Sequence, residues 1–594
     1  MTVYNAPVDD MNFLLNNVLG MNKIAQLPDY CDATPDIVEA IISEAGRFFS
    51  EVVAPTNRSS DEQGSRVENR AVVTAPALDG IYQQIVEAGW FSVSGDTQYG
   101  GQGMPQLLGS VVQEISQTAN LGFSLCSMLT QGVVTAISKY GSDKQKDIYL
   151  PKLISGEWAG TMNLTESQAG SDLAAVRTRA FPEGDHYRIS GEKIFITWGD
   201  QQFTDNIIHL VLARTPDAPE GVKGLSLFVV PKFMINEDGS LGERNDVYPV
   251  SVEHKLGIHA SPTCVLSFGE DQGAVGYLVG NENEGLKYMF AMMNHARLAV
   301  GMQGVAISER AYQQAVDYAK ERVQGAAPGE PIATIIKHPD VRRMLMQMRA
   351  LTEGGRALAY WAMAHEDYAV KSDDAEQKAF HHARVELLTP LVKGWCTEVG
   401  MEVTSLGVQV HGGMGFIEET GAAQHMRDAR ILPIYEGTNG IQSMDLVGRK
   451  FLRDGGKSVT ALLDELAAVA AELKAEANDK LGIIAGALEA SLASCQKTTG
   501  FITANATDDW AVPGSAAYNF LMLMGTTVAA GLLARSALAA VQLNAAGEGN
   551  LSFNNAKLVT ATFFAEQIMP RNQAYAAAAV SGSESIMALA EDMF

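Results

Sequence analysis

The chain has 594 residues, 46% of them hydrophobic, and a formal net charge of -25 at pH 7. That length allows about three to four domains, with apolar content enough for several cores. The acidic balance excludes a general binder of nucleic acid or of an anionic membrane, because either partner requires a basic field; an anionic ligand must instead meet local arginines.

Five cysteines, Cys31, Cys126, Cys264, Cys396 and Cys495, lie far apart without C-x-x-C spacing. They read as buried packing residues in a reducing compartment and carry no metal-ligand pattern. The stretch from Met1 to Asp10 holds two acids and no basic start followed by an apolar run, so the expected location is cytoplasmic.

From Thr34 to about Ile154 the pattern is helical, with Ile37, Ile41 and Ile42, then Ile81, Ile85 and Val86, at three- and four-residue spacing. Pro55 and the run Tyr99-Gly-Gly-Gln-Gly103 break it. Between about Thr161 and Phe268 the period shifts toward two, and Tyr187–Thr197, Ile207–Leu212 and Leu225–Val230 read as short strands. Within this region, Met162-Asn-Leu-Thr-Glu-Ser-Gln-Ala-Gly-Ser-Asp172 alternates small residues with hydroxyls, which lets donors approach a planar polar ligand closely. Lys193-Ile-Phe-Ile-Thr-Trp-Gly199 sets an aromatic platform, Phe195, two residues before a hydroxyl, Thr197; on a regular strand both face one side.

Helical periodicity returns from about Glu284 to Leu452, with Asn294-His-Ala-Arg297 read as the opening of a helix that runs to Arg322, and further helices over Val341–Tyr360 and Glu376–Leu406. The run Arg427-Asp-Ala-Arg-Ile-Leu-Pro-Ile-Tyr-Glu-Gly-Thr-Asn-Gly-Ile441 places a carboxylate, Glu436, in a tight turn between two helical patterns. Pro433 is expected to stop or bend the preceding helix, and Gly437 to allow unusual backbone geometry, so Glu436 is a candidate base. About 140 further residues suffice for one more helical domain. Its uncharged stretch Ser515–Ala534 is long enough to span a membrane, but its Ala, Gly and Thr content, with Asn519 inside and Arg535 after it, predicts a helix buried in a soluble bundle without stable membrane insertion. The expected fold is α+β and mainly α: an N-terminal helical domain (1–160), a middle β domain (161–279), a helical bundle (280–452) and an additional C-terminal helical domain (453–594).

These segments, in this order, resemble the acyl-CoA dehydrogenases. The family pattern T-E-x-x-x-G-S-D followed by an aromatic and I-T matches Thr165–Asp172 and Phe195–Thr197; Gly89-Trp90 before Tyr99-Gly-Gly101 also fits, as does Tyr435-Glu-Gly-Thr438. The resemblance implies FAD as cofactor. It places the backbone of Met162 and Leu164, with Thr165, at the flavin pyrimidine edge, Phe195 on the ring system and Thr197 near N5. Gly170 and Ser171 would lie where the acyl-CoA chain enters, with Asn294, Arg297 and Gly437 also on the substrate side; Asn294 stands where relatives usually carry an acid. Arg322 would reach the flavin pyrophosphate of a neighbouring subunit, and Gln409 and Gly413, in Gln409-Val-His-Gly-Gly-Met-Gly-Phe416, would meet the same cofactor across the interface, which implies at least a homodimer. Thr438 matches an FAD-contacting threonine. The pattern departs at Arg322-Val-Gln-Gly325, where relatives commonly have R-x-x-F-G, and at Gly440, where many have Glu or Gln.

The reaction implied is α,β-dehydrogenation of an acyl-CoA thioester to the trans-2-enoyl-CoA. Glu436 would take the α-proton, with its pKa raised by burial, while the Glu436 N–H and a ribityl hydroxyl hold the thioester oxygen and hydride passes to flavin N5. Electrons would leave through an electron-transfer flavoprotein. Lys337–Leu345, Tyr435–Ile441 and the added domain look most like the extended bacterial branch of the family, which implies 3-methylmercaptopropionyl-CoA as substrate, in dimethylsulfoniopropionate breakdown. A long-chain fatty acyl-CoA, an acyl-CoA oxidase and a non-enzymatic assembly factor on the same scaffold are the alternatives.

Overall fold

The computed structural model describes residues 4–594. The chain divides into two compact units, one formed by Glu44–Ala299 and the other by Met1–Ser43 with Val300–Phe594. The first unit thus holds most of the N-terminal helices and the whole β region, and the second holds the remaining helices.

In the first unit the apolar-periodic segments become helices α1 (Gln106–Ala119) and α2 (Leu121–Tyr140). Asn120 separates them: its backbone is extended and its side chain accepts from Phe123 N, an N-cap that starts α2. Helix α2 is apolar enough to cross a membrane, but 72% of its apolar window is buried inside the protein, so it serves as a core helix. One feature departs from the all-helical expectation for this region: a two-stranded ribbon, Arg66–Glu68 with Ala71–Val73, closed by Asn69 and Arg70 in left-handed conformations.

The β region is an eight-stranded sheet. Its strands are β1 (Trp158–Asn163), β2 (Arg179–Glu183), β3 (His186–Thr197), β4 (Asn206–Ala213), β5 (Ser226–Pro231), β6 (Val247–Val252), β7 (Thr263–Phe268) and β8 (Ala274–Val279). The order is β6-β7-β3-β8-β5-β4-β1, with β2 added on β3. Only the β1–β4 pair is parallel. Strand β1 ends the sheet and packs against α2, where Gly160 N donates to Thr130 Oγ1 at 3.0 Å and a Cβ on Gly160 would lie 2.7 Å from Val133. Ile189, Ile196, Val211, Phe228, Leu266 and Phe268 form the apolar core beneath the sheet.

Helix α3 (Gly285–Glu321) begins nine residues before Asn294, which the sequence had marked as the helix start. The reason lies in the buried Tyr288, Met289, Met292 and Ala296, whose three- and four-residue spacing carries the apolar stripe upstream. The second unit contains α4 (Pro339–Lys371), α5 (Ala375–His411), α6 (Ala422–Ala429) and α7 (Asn439–Met444). Beyond them come α8 (Lys457–Ala475), α9 (Asp479–Asn505), α10 (Val512–Ala546), α11 (Leu551–Phe563) and α12 (Arg571–Ala579). Helix α10 contains the uncharged stretch; 89% of its apolar window is buried among its neighbours, as a bundle-core helix requires. Helix α5 packs closely on α3: a Cβ on Gly304 would lie 2.3 Å from the Cys396 carbonyl oxygen, so the two backbones approach where no larger residue fits.

Candidate active site

Glu436 sits on the nine-residue connection between α6 and α7. Helix α6 stops at Ala429, four residues before Pro433, rather than at the proline itself. A proline ring collides with the carbonyl of residue i−4, which here is Ala429, so Pro433 ends the helix one turn upstream. The chain then turns through Leu432 N to Ala429 O and Tyr435 N to Ile431 O. Glu436 has φ +55° and Gly437 φ +85°. For glycine the left-handed region is free, but for glutamate it costs about 1–3 kcal/mol and persists only where surrounding contacts impose it.

Those contacts are visible on both sides of Glu436. Tyr435 donates its hydroxyl to Gln303 Oε1 on α3. Burial, and then the nearby Glu436 charge, raise the Tyr435 pKa, which keeps the hydroxyl a neutral donor. Thr438 caps α7, its Oγ1 accepting from Ile441 N at 3.2 Å. Asn439 is buried against α5: it accepts from Lys393 Nζ at 2.9 Å and donates to Thr397 Oγ1 at 3.0 Å and Glu398 Oε1 at 2.8 Å. Gln442 donates from Nε2 toward Glu436 O and Gly437 O at 3.4 and 3.3 Å. Glu436 and Gly437 are half-buried and Thr438 is exposed.

In the β unit the two glycine- and hydroxyl-rich segments do meet. Ile194 N donates to Thr165 O at 2.9 Å, and Lys193 Nζ donates to Leu164 O at 2.9 Å and to Glu166 Oε1 at 2.8 Å. The Lys193–Glu166 pairing was not expected from the sequence motifs that contain the two residues. The available signal was a lysine amid apolar strand residues, which needs a buried partner. Burial works against the Glu166 carboxylate, but Lys193, the Thr178 hydroxyl and the Arg177 and Thr178 N–H groups hold its pKa at about 2. Glu166 and Ala169 exchange backbone hydrogen bonds across a tight turn, which presents Gly170 and Ser171 at the surface.

Phe195 and Thr197 are not related by simple strand alternation. Between Lys193, opposite Leu266, and Ile196, opposite Cys264, β3 has one residue more than β7. This bulge sets Phe195 at φ +58° with 58% of its surface exposed, an unusual state for a large aromatic on a strand. Met162 is buried at the end of β1, while Leu164, Thr165 and Thr197 are half-buried. Strand β1 pairs on one edge only. An exposed ring, an edge strand and nearby hydroxyls suit a flat heterocycle with a polar rim, so the residues present fit a flavin. On α3, Asn294 is half-buried and Arg297 buried.

Arg322, Gln409 and Gly413 lie together elsewhere. The ends of α3 and α5 meet through Tyr318 stacked on His411, with ring centroids 4.4 Å apart. All three residues are exposed there, beside Phe416. Along α5, Gln409 lies about 24 Å from Lys393, which grips the Glu436 loop, at 1.5 Å rise per residue.

Comparison with known proteins follows the same division of the chain. Profiles described as acyl-CoA dehydrogenase N-terminal, middle and C-terminal domains match residues 36–157, 161–270 and 283–451. One described as acetyl-CoA dehydrogenase C-terminal like matches 462–590. The chain is 48% identical over 570 residues to a 3-methylmercaptopropionyl-CoA dehydrogenase of Ruegeria pomeroyi, covering 95% of this chain and 96% of the relative. It is 34% identical to a broad-specificity linear acyl-CoA dehydrogenase of Mycobacterium tuberculosis, with 96% of each chain covered. Its fold matches that of an acyl-CoA dehydrogenase from Bacillus anthracis solved with FAD, at a TM-score of 0.74 and 22% identity over 98% of this chain and 92% of that one. Near end-to-end identity at this level, together with the domain order, means that the chain belongs to the FAD-dependent acyl-CoA dehydrogenase family.

Proposed function

We propose that this acyl-CoA dehydrogenase uses Glu436 as the base and oxidises 3-methylmercaptopropionyl-CoA to methylthioacryloyl-CoA, a step of dimethylsulfoniopropionate breakdown. The observation that carries the base assignment is the left-handed backbone of Glu436, held by contacts to α3 and α5 on either side. A carboxylate on so constrained a loop takes the α-proton from a fixed direction, which is where orientation gives its rate advantage. The Glu436 N–H donates to the thioester oxygen as enolate charge develops. Bound FAD supplies the two-electron acceptor for the hydride leaving Cβ. Phe195 would pack on the flavin ring, and Met162, Leu164, Thr165 and Thr197 would supply polar partners at its rim. Arg297 gives the anionic CoA a local cation within an acidic chain.

The substrate assignment rests on the Ruegeria pomeroyi relative, whose identity extends over nearly the whole of both chains. The broad-specificity linear relative supports the alternative, a range of straight acyl chains. One methylene discriminates by only about 1–3 kcal/mol, so kcat/KM across methylmercaptopropionyl-, butyryl-, octanoyl- and palmitoyl-CoA decides between them. The proposal expects the sulfur substrate to be best, with butyryl-CoA also accepted; a maximum at palmitoyl-CoA would overturn it. The electron acceptor proposed is an electron-transfer flavoprotein, and rapid hydrogen peroxide formation with acyl-CoA alone would favour an oxidase instead. Arg322, Gln409 and Gly413, exposed and remote along α5 from the Glu436 loop, are assigned to the FAD of a second copy in a homodimer.

A further inference from the structure

The buried ammonium of Lys393 stands in the middle of α5, and no step of the reaction above uses it. Lys393 is fully buried on α5, between Val392 and Gly394, which are buried as well. Placing a cation there is unfavourable unless it is hydrogen-bonded and serves some arrangement that an apolar side chain does not. Its Nζ donates to Asn439 Oδ1 at 2.9 Å, and Asn439 is three residues beyond Glu436. Around Asn439, the stretch of α5 one to five residues beyond Lys393 completes the grip: Gly394 O, Thr397 Oγ1 and Glu398 Oε1 all accept from Asn439 Nδ2, at 3.3, 3.0 and 2.8 Å. Asn439 also ties the loop to itself, its N–H donating to Pro433 O at 2.9 Å and its carbonyl accepting from Ser443 Oγ at 2.7 Å.

We propose that Lys393 is a positioning residue for the base, acting through Asn439 to hold the 433–439 loop so that Glu436 stays in its left-handed conformation. An asparagine amide is symmetric enough in shape to sit in either flip. Lys393 has only donors to offer, so it fixes the oxygen toward itself and thereby turns Nδ2 toward the acceptors on α5. With the amide orientation set, the loop has one anchored end at Asn439 and another at Tyr435, and Glu436 lies between them.

This inference rests on the assignment of Glu436 as base, and the test separates the two. In full-length FAD-loaded enzyme, Lys393→Met keeps the length of the side chain and removes its donors. The expected result is a kcat at least about tenfold lower with KM for acyl-CoA and FAD content nearly unchanged, since a misplacement of about 1 Å is enough to cost up to a hundredfold. In the double variant with Glu436→Gln, slow flavin bleaching should be no slower than in Glu436→Gln alone, because a residue that acts through the base has nothing left to position. Two results overturn the proposal: a Lys393→Met kcat within twofold of wild type, or losses that multiply in the double variant. If Glu436→Gln alone turns over normally, the base assignment itself falls. If Lys393→Met does not yield folded enzyme, the near-isosteric Thr397→Val replaces it: a severalfold kcat loss at unchanged KM is expected, and wild-type kcat overturns the proposal.

Discussion

Phe195 and Glu436 are both bulky or charged residues with positive φ, at +58° and +55°, where side chains are rarely found. Each is held there by its setting, one by a strand bulge and the other by contacts on a loop, and each was identified from sequence motifs without any sign of its strain. Alternation on a regular strand put Phe195 and Thr197 on one face, but a bulge is a register property of two strands and cannot be read from one of them. For Phe195→Ala we expect loss of bound FAD on gel filtration, and for Phe195→Trp retention, because the larger ring preserves the stacking surface. Glu166 gives a pH prediction. Its folded pKa of about 2 lies below the ordinary carboxylate value of 4.5, so its stabilising effect is complete above about pH 4.5 and is lost as pH falls toward 2. Thermal melts of Glu166→Gln should therefore fall below wild type at pH 7 and converge with it as the pH drops through that window. A constant gap would contradict the pairing with Lys193.

At the level of elements, α10 ties the added C-terminal helices to the bundle. Trp395 on α5 donates its indole N–H to Thr526 Oγ1 on α10 at 3.0 Å, and a Cβ on Gly525 would meet the Trp395 side chain at 2.5 Å. Thr526→Val leaves that buried N–H without its acceptor and should cost about 1–3 kcal/mol in denaturant unfolding; a change within error would mean that the contact carries no stability. Periodicity did not mark the 27-residue α9 (Asp479–Asn505), but it located α3, α4 and α5, since burial on one face writes itself into spacing. Their ends were less legible. Helix α3 starts at Gly285 because Met289 and Met292 continue the buried stripe, and α6 ends at Ala429 because Pro433 acts one turn upstream. The holders of the Glu436 loop, Gln303, Lys393, Asn439 and Gln442, were invisible in sequence because each lies far along the chain from its partner or looks like an ordinary helix residue.

For the whole molecule, an acidic chain with charge -25 has to bind an anionic thioester and an anionic dinucleotide, so these ligands must meet local cations. The family accounts for the four-part order, and the exposed Arg322, Gln409 and Gly413 at one end of the bundle lead us to expect a dimer by light scattering; an FAD-loaded monomer would contradict a shared cofactor site. The dehydrogenation depends most on the base. Purified full-length enzyme and Glu436→Gln should be mixed anaerobically with 3-methylmercaptopropionyl-CoA while the oxidised flavin band is followed. Wild type is expected to bleach rapidly, and Glu436→Gln, with the same FAD content, about a thousandfold or more slowly, as removal of an acid–base group requires. Bleaching of Glu436→Gln at the wild-type rate would contradict the account.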